Sequence, residues 1–269
     1  MRQFILQNQT VKNNLITLEG KDYRYLRQVL RVKTGDMLNV RTQNGILYNT
    51  TVSQIDDKSH IIILQICGET DSEDTANTKP SNQTEFFLFQ FIPRPQKFEQ
   101  IIRQATECGI KEIIPVLGEY TEKSSASILE EKKKERLEKI IKEARQQSGS
   151  PVQTKVTPPA TLQEALDLWN KNITNHTAEK ENQTSLALVL SERTGCETSL
   201  LKIIQNATQN NQKITKVALA VGSEGGISPK EIEILQKNDF FPVHFNVNIL
   251  RCETAALYGI AAVQSMILS

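Results

Sequence analysis

Residues Val217–Gln236 read VALAVGSEGGISPKEIEILQ. An apolar run reaches Val221, three glycines follow at Gly222, Gly225 and Gly226, and a charged run with helical spacing begins at Ser228. The last part has a defined start. Ser228 suits an N-cap, Pro229 the first helical position, and Glu231 completes a Ser-x-x-Glu capping box. An uninterrupted apolar strand followed by a helix is the repeating piece of a parallel sheet covered on both faces. The glycines sit at the carboxyl end of the strand, where open α/β sheets bind ligands. They do not form a phosphate loop, which needs G-x-x-x-x-G-K-[ST], nor a G-x-G-x-x-G dinucleotide fingerprint. Two readings remain open, a tight turn or a backbone wall for a ligand. Glu224 is likewise either a reactive carboxylate or a group that shapes the loop.

A second junction of the same kind follows at Asn246–Gln264, NVNILRCETAALYGIAAVQ. Glu253 and Thr254 fit a helix start by charge and capping. Ala255, Ala256, Gly259, Ala261 and Ala262 make the helix small-sided, suited to close packing. Arg251 is its notable polar residue, at the strand end. Leu188–Gly195, LVLSERTG, offers a third strand end, and the three loops are expected to be able to wall one pocket.

Strands and helices alternate outward from here. Strands are expected at EFFLFQFI (85–92), IKEIIPVL (110–117), SLALVLSER (185–193), KITKVALAVG (213–222) and FFPVHFNV (240–247). Helices are expected at 95–109, 130–149, 199–207, 228–238 and 253–268. In the first helix Phe98, Ile101, Ile102 and Ala105 share a stripe and Gly109 stops it. In the second, Leu137, Ile140, Ile141 and Ala144 face inward. Its surface offers Glu130–Lys134, Glu135–Lys139 and Glu138–Lys142 pairs.

Residues 1–70 differ. NLITLEG alternates, DMLNVRTQNGILYNTTVSQI reads as two strands joined at Asn44-Gly45, and SHIIILQICG is a further strand. Between the first strands, Tyr23, Leu26 and Leu30 lie at helical spacing. Arg24, Arg27 and Arg31 share another face, with Lys33 after them. That face is either solvated surface or an RNA contact. Residues 71–84 are polar and aperiodic, a linker, and residues 85–269 form the α/β domain.

The net charge is +1, but residues 1–68 carry nine Lys/Arg against five Asp/Glu while residues 85–269 balance. A basic excess confined to the N-terminal part permits local nucleic-acid contact. The four cysteines are far apart and the three histidines isolated, which disfavours a disulfide framework or a zinc site. No apolar run approaches the roughly 20 residues that span a bilayer, and the opening residues lack a secretion signal. A reduced, cytoplasmic protein is expected.

Four motif blocks in order carry a resemblance. YLRQVLRVKTGD (25–36), KFEQIIRQATECGIKEIIPV (97–116), IIKEARQQSG (140–149), and the C-terminal pair VGSEGGISPKEIE (221–233) with NILRCETAALYGIAAVQ (248–264) resemble the RsmE family of 16S ribosomal RNA uridine-N3 methyltransferases, in the SPOUT superfamily. The resemblance implies an N-terminal PUA-like β-barrel for RNA, and an α/β methyltransferase domain with a deep C-terminal trefoil knot. It implies a homodimer and S-adenosylmethionine as cofactor, with no metal. Carried onto this chain, it places the cofactor against Leu190, Ser191, Gly222, Glu224, Gly225, Gly226, Phe245, Asn246, Ile249, Leu250, Cys252, Thr254 and Ala255. Arg251 and Glu253 become the catalytic candidates, Arg251 either stabilising charge on the uracil or pairing with Glu224 or Glu253. Arg24, Arg27, Arg31 and Lys33 become RNA contacts, the RNA being 16S ribosomal RNA of the small subunit. The chain departs from the pattern at Ser223, where proline is usual, along Phe245–Asn248, at Cys252 for threonine, and at Gln146 and Ser150. Another SPOUT RNA methyltransferase, or a non-catalytic RNA-binding protein, are the competing readings.

Overall fold

The computed structural model describes residues 3–6, 11–42, 45–69, 84–122, 131–174, 182–191 and 199–268. They group into two compact units, Met1–Lys79 with Arg145–Gln153, and Pro80–Ala144 with Thr154–Ser269. Most of the expected linker, 71–83, and the expected turn residue Asn44 lie outside the described residues.

The N-terminal unit is built on a five-stranded sheet. Its strands are β1 (Gln3–Ile5), β2 (Leu15–Leu18), β3 (Met37–Arg41), β4 (Leu47–Asp56) and β5 (Ile61–Glu69), in the order β1-β3-β4-β5-β2. β3 and β4 form the expected hairpin pair, and β5, the further strand, runs antiparallel to β4. β1, not expected from the sequence, runs parallel to β3. Alternate residues Ile16, Leu18, Val40, Val52, Ile62 and Leu64 pack into one core with Tyr23 and Leu26.

The expected helix between β2 and β3 has two parts. α1 (Gly20–Arg24) is an ordinary α-helical turn, and Tyr25–Leu30 continues with the wider π-helical repeat. It ends at Arg31, left-handed at φ 56°, with the Arg31 and Val32 amides both donating to the Leu26 carbonyl. The wider register carries Val29 outward, 64 % exposed.

The same unit buries two arginines. Arg41 donates to Gln3 Oε1 at 2.8 Å and to the Gly45 carbonyl at 2.6 Å. Arg145 donates to the Pro151 carbonyl at 3.3 Å, and its own carbonyl accepts from Gln3 Nε2 at 3.0 Å. Burial, together with the nearby Arg41 charge, pushes the Arg145 guanidinium down to about 10.

The second unit is a fully parallel sheet. Its strands are β6 (Glu85–Phe91), β7 (Glu112–Leu117), β8 (Lys155–Val156), β9 (Ala160–Thr161), β10 (Gln183–Leu190), β11 (Lys213–Val221) and β12 (Phe240–Val243). Their order is β12-β10-β11-β6-β7-β8, with β9 also on β7. The continuous apolar run of β6 is explained by its two buried faces: Phe86 and Leu88 enter one core, Phe87, Phe89 and Phe91 the other. The first core is closed by α2 (Pro95–Glu107), α3 (Glu131–Ser148), α5 (Leu200–Ala207) and α7 (Cys252–Ile267). α4 (Leu162–Thr174) and α6 (Pro229–Lys237) line the second.

On α3, Lys139 pairs forward with Glu143 at 3.8 Å, and Arg136 holds Glu99, rather than the Glu135–Lys139 pairing expected; Glu130 lies outside the described residues. No helix among the described residues is long and apolar enough to cross a membrane.

Candidate active site

The loops that leave the carboxyl ends of β7, β10, β11 and β12 surround a cleft of about 680 Å³. That size suits a drug-sized ligand or cofactor.

The wall after β11 is set by its helix. Ser228 and Glu231 exchange backbone-to-side-chain hydrogen bonds of 3.3 and 2.8 Å, the expected capping box, at the start of α6. The second oxygen of Glu231 accepts from the Glu119 amide at 2.7 Å and so fixes the turn after β7. Gln90 Nε2 holds the carbonyls of Val221 and Gly222. The glycines answer first to the protein itself. A Cβ on Gly222 would meet the Gly226 backbone at 2.7 Å, and one on Gly225 would meet Tyr120 at 2.8 Å. Gly226 is left-handed, φ 77°, and closes the turn by donating to the Ser223 carbonyl.

On the far side, the Ser191 amide donates to the Val243 carbonyl, and His244 Nδ1 donates to the Ser191 carbonyl at 3.0 Å. This bond puts the proton on Nδ1, since a carbonyl only accepts. Phe245 lies edge-to-face on Tyr258, centroids 5.1 Å apart.

The polar centre is organised by Lys97, in the first turn of α2. Its ammonium is 3.5 Å from Glu224, 3.4 Å from Glu253 and 4.0 Å from Cys252 Sγ. Burial opposes the Lys97 charge, but the Cys252 sulfur and the two carboxylates outweigh it and hold the ammonium above its usual range. Burial likewise opposes the Glu253 charge; bonding to its own backbone, the Cys252 thiol and Lys97 outweigh that, and its carboxyl sits below the usual carboxylate range. Burial, the hydrogen bond to Glu253 and the Glu224 charge push the Cys252 thiol up to about 12, so it stays protonated and donates to Glu253 at 3.3 Å. Glu224 also accepts from the Arg94 amide at the start of α2, at 3.2 and 3.3 Å. A carboxylate there meets the positive end of the helix dipole.

These contacts bear on the pairing expected for Arg251. Glu224 and Glu253 make their ion pairs with Lys97, not with Arg251. Arg251 caps α7 through its backbone alone and is exposed on the cleft wall.

The structure brings together on this cleft Leu190, Ser191, Gly222, Glu224, Gly225, Gly226, Phe245, Ile249, Leu250, Arg251, Cys252 and Ala255. Asn246, Glu253 and Thr254 do not line it. Glu253 is buried beneath it, and Asn246 and Thr254 are exposed elsewhere. Thr254 is not a cap, because α7 begins at Cys252 with Arg251 as its N-cap. The residues that sequence reasoning passed over include Lys97 on α2, Tyr120 in the turn after β7, and His244 at the end of β12. Of LVLSERTG, residues 192–195 lie outside the described residues.

In the N-terminal unit, Arg24, Arg31 and Lys33 are exposed. Arg27 is not available in the same way. It grips Asp57 with two hydrogen bonds of 2.8 Å, and Tyr23 donates to the same carboxylate at 2.6 Å. The Arg27 and Tyr23 hydrogen bonds bring the Asp57 carboxyl down to about 2. In this structure Arg27 ties the helix to the β4–β5 turn.

Comparison with known proteins gives a consistent picture. Residues 79–264 match the model of an RNA methyltransferase domain, and residues 18–65 that of an RNA methyltransferase PUA domain. The chain is 28 % identical to the ribosomal RNA small subunit methyltransferase E of Rickettsia conorii, over 96 % of this chain and 93 % of the relative. The protein of the same name from Buchnera aphidicola subsp. Schizaphis graminum is 26 % identical over 94 % and 91 %. Among solved structures, a ribosomal RNA small subunit methyltransferase E from Neisseria gonorrhoeae bound to S-adenosyl methionine superposes with a TM-score of 0.74. It is 24 % identical and covers 99 % of this chain and 98 % of its own.

Proposed function

Since the chain belongs to the RNA methyltransferase domain family with a PUA domain before it, we propose that it transfers a methyl group from S-adenosylmethionine to N3 of a uridine in 16S ribosomal RNA. The observation that carries this reading is the convergence of the loops after β10, β11 and β12 on one cleft. It gathers eleven of the thirteen residues that the resemblance places against the cofactor, together with Arg251.

The cleft fits the cofactor in kind as well as size. S-adenosylmethionine has no phosphate, and the glycine loop has no phosphate lysine. Turned backbone at Gly222–Gly226 and Phe245–Leu250 suits an adenosine held by peptide groups, while Phe245, Leu190 and Ile249 supply apolar wall. Lys97 and Glu224 offer opposite charges to an amino-acid tail.

When bound, the cofactor supplies an activated methyl on a sulfonium sulfur. The protein orients the two partners, which accounts for much of catalysis in such sites. As the N3 proton leaves, negative charge spreads onto uracil O2 and O4, and the Arg251 guanidinium stabilises it. Glu253 is a poor proton acceptor, because its donors hold it ionised. It positions Lys97 and the start of α7, and the N3 proton passes to solvent. N3 lies on the Watson–Crick edge, so the uridine must be unpaired or flipped out. Arg24, Arg31 and Lys33 hold neighbouring phosphates. Closure of the N-terminal sheet as a PUA-like barrel, a C-terminal trefoil knot, a homodimer and residence in the cytoplasm with the ribosome belong to the same proposal, supported by the four motif blocks.

Isothermal titration with S-adenosylhomocysteine and with ATP tests the reading. Tight binding of the first alone is expected, and failure to bind it refutes methyl transfer. Mass spectrometry of small-subunit RNA from a strain lacking the gene should show loss of N3-methyluridine. An unchanged signal overturns the site assignment.

A further inference from the structure

The turn after β7 holds an aromatic ring in an unusual position. Tyr120 lines the cleft, yet its residue surface is 48 % exposed. A large apolar ring left half in water needs a reason when it is also rigidly held. Its turn is fastened at several points. The Thr121 amide donates to the Gly118 carbonyl at 3.0 Å, and the Gly118 amide to Thr121 Oγ1 at 2.9 Å. The Glu119 amide donates to Glu231 at 2.7 Å, which ties the turn to the capping box of α6. Gly118 itself is required, since a Cβ there would stand 2.4 Å from the Phe91 ring. The absence of a side chain on Gly225 makes room for Tyr120 on one side. The protein thus holds in place the turn that carries the ring before any ligand arrives, which limits the entropy lost on binding.

Among the described residues, three aromatic rings line the cleft. Phe245 is engaged edge-to-face by Tyr258, and His244 is tied to the Ser191 carbonyl. Tyr120 is the half-exposed ring at the solvent rim. A base drawn out of its stack loses its π-neighbours, and proteins replace them with aromatic side chains.

We propose that Tyr120 is the platform on which the target base stacks as it enters the cleft. The inference rests on the methyl-transfer reading above and adds a residue for base positioning to it. Tyr120 acts through its face, not its hydroxyl.

The test compares Tyr120→Phe and Tyr120→Leu in the full-length protein. Phenylalanine keeps the face. Leucine keeps Cβ and Cγ against Gly225 but has no face. Unmethylated small ribosomal subunits serve as RNA substrate with radiolabelled S-adenosylmethionine, and S-adenosylhomocysteine affinity is measured by calorimetry. Base–aromatic stacking of about 1–3 kcal/mol corresponds to a loss of about 5- to 150-fold. Tyr120→Leu should lose that much in kcat/KM for the subunit while binding S-adenosylhomocysteine within twofold of wild type, and Tyr120→Phe should restore activity. An equal loss of S-adenosylhomocysteine affinity would overturn the proposal by assigning the ring to the cofactor. Unchanged kcat/KM in the leucine variant would overturn it outright. A wild-type protein that binds no S-adenosylhomocysteine refutes the methyl-transfer reading itself, a failure distinct from either.

Discussion

Replacing Lys97 with methionine removes one cation from between two carboxylates and keeps most of the stem. The ammonium lies 3.5 Å from Glu224 and 3.4 Å from Glu253, so those oxygens are within about 7 Å of each other. At an effective dielectric of about 20, two unit negative charges at that spacing repel by about 2.4 kcal/mol. Lys97 is 29 % exposed, and solvent screens part of this. A stability loss of about 1–2 kcal/mol at neutral pH is expected, with roughly tenfold weaker S-adenosylhomocysteine binding as the two loops separate. The pH dependence identifies the cause. Glu253 is held below its unfolded value of about 4.3, so its share is present above that pH and is lost as pH falls through the lower folded value. Lys97 is held above its unfolded value of about 10.4, so its share is present below that pH and is lost as pH rises through the higher folded value. The difference between wild type and Lys97→Met should therefore form a plateau between about pH 5 and 10 and shrink on both sides. Urea denaturation across that range measures it. Equal differences at pH 3 and pH 7, or none at pH 7, would refute the electrostatic account.

Four further outcomes are expected. Arg251→Ala should lower the rate of methyl transfer by about 10²- to 10³-fold while leaving S-adenosylhomocysteine affinity nearly intact; wild-type turnover removes Arg251 from the chemistry. Gly222→Ala forces a Cβ to 2.7 Å from the Gly226 backbone, where nothing flexible can yield. It should cost about 1–3 kcal/mol in denaturation and reduce cofactor binding, and a neutral result would mean the loop is looser than described. Arg24→Glu with Arg31→Glu should weaken RNA binding and lower the slope of log affinity against log salt by about 1.4–1.8. Arg27→Glu should instead lower the melting temperature, because it turns a cation away from Asp57. A salt-dependent RNA defect in a fully stable Arg27→Glu protein would restore Arg27 to the RNA surface.

Five strands of the parallel sheet, β6, β7, β10, β11 and β12, were legible because each is an apolar run buried on two faces, whereas the two-residue β8 and β9 carry no such run. α6 was legible to the residue, since Ser228 and Glu231 carry their own signal. The same signal stood unread at α4. Thr161 and Glu164 bond reciprocally at its start, and Leu162, Ala165, Leu166 and Trp169 follow at helical spacing. β1 is only three residues long and gains its strand character from pairing with β3, which no local pattern announces. In the site, the loops after β11 and β12 were legible from the glycines and from Arg251. Lys97 was not, because a lysine in the first turn of an amphipathic helix looks like any solvated charge. Only the sheet order, which sets β11 beside β6, brings α2 under Glu224 and Glu253. The π-helical register at Tyr25–Leu30 was hidden for a similar reason, since Tyr23 and Leu26 satisfy the ordinary spacing until Arg31 closes it.

The segment Arg145–Gln153 groups with the N-terminal unit, and Gln3 in the first strand hydrogen-bonds the Arg145 carbonyl. This has a consequence for birth on the ribosome. Domains usually fold in the order in which they are made. Here the first unit lacks part of itself until more than half the chain has been synthesised. Until then one hydrogen bond of Gln3 has no partner. A fragment cut after the polar stretch would hold the apolar cluster of the first unit but not its last piece. The two units therefore mature together, and an isolated N-terminal fragment should include residues 145–153, supplied in trans or by a graft, before it is asked to bind RNA.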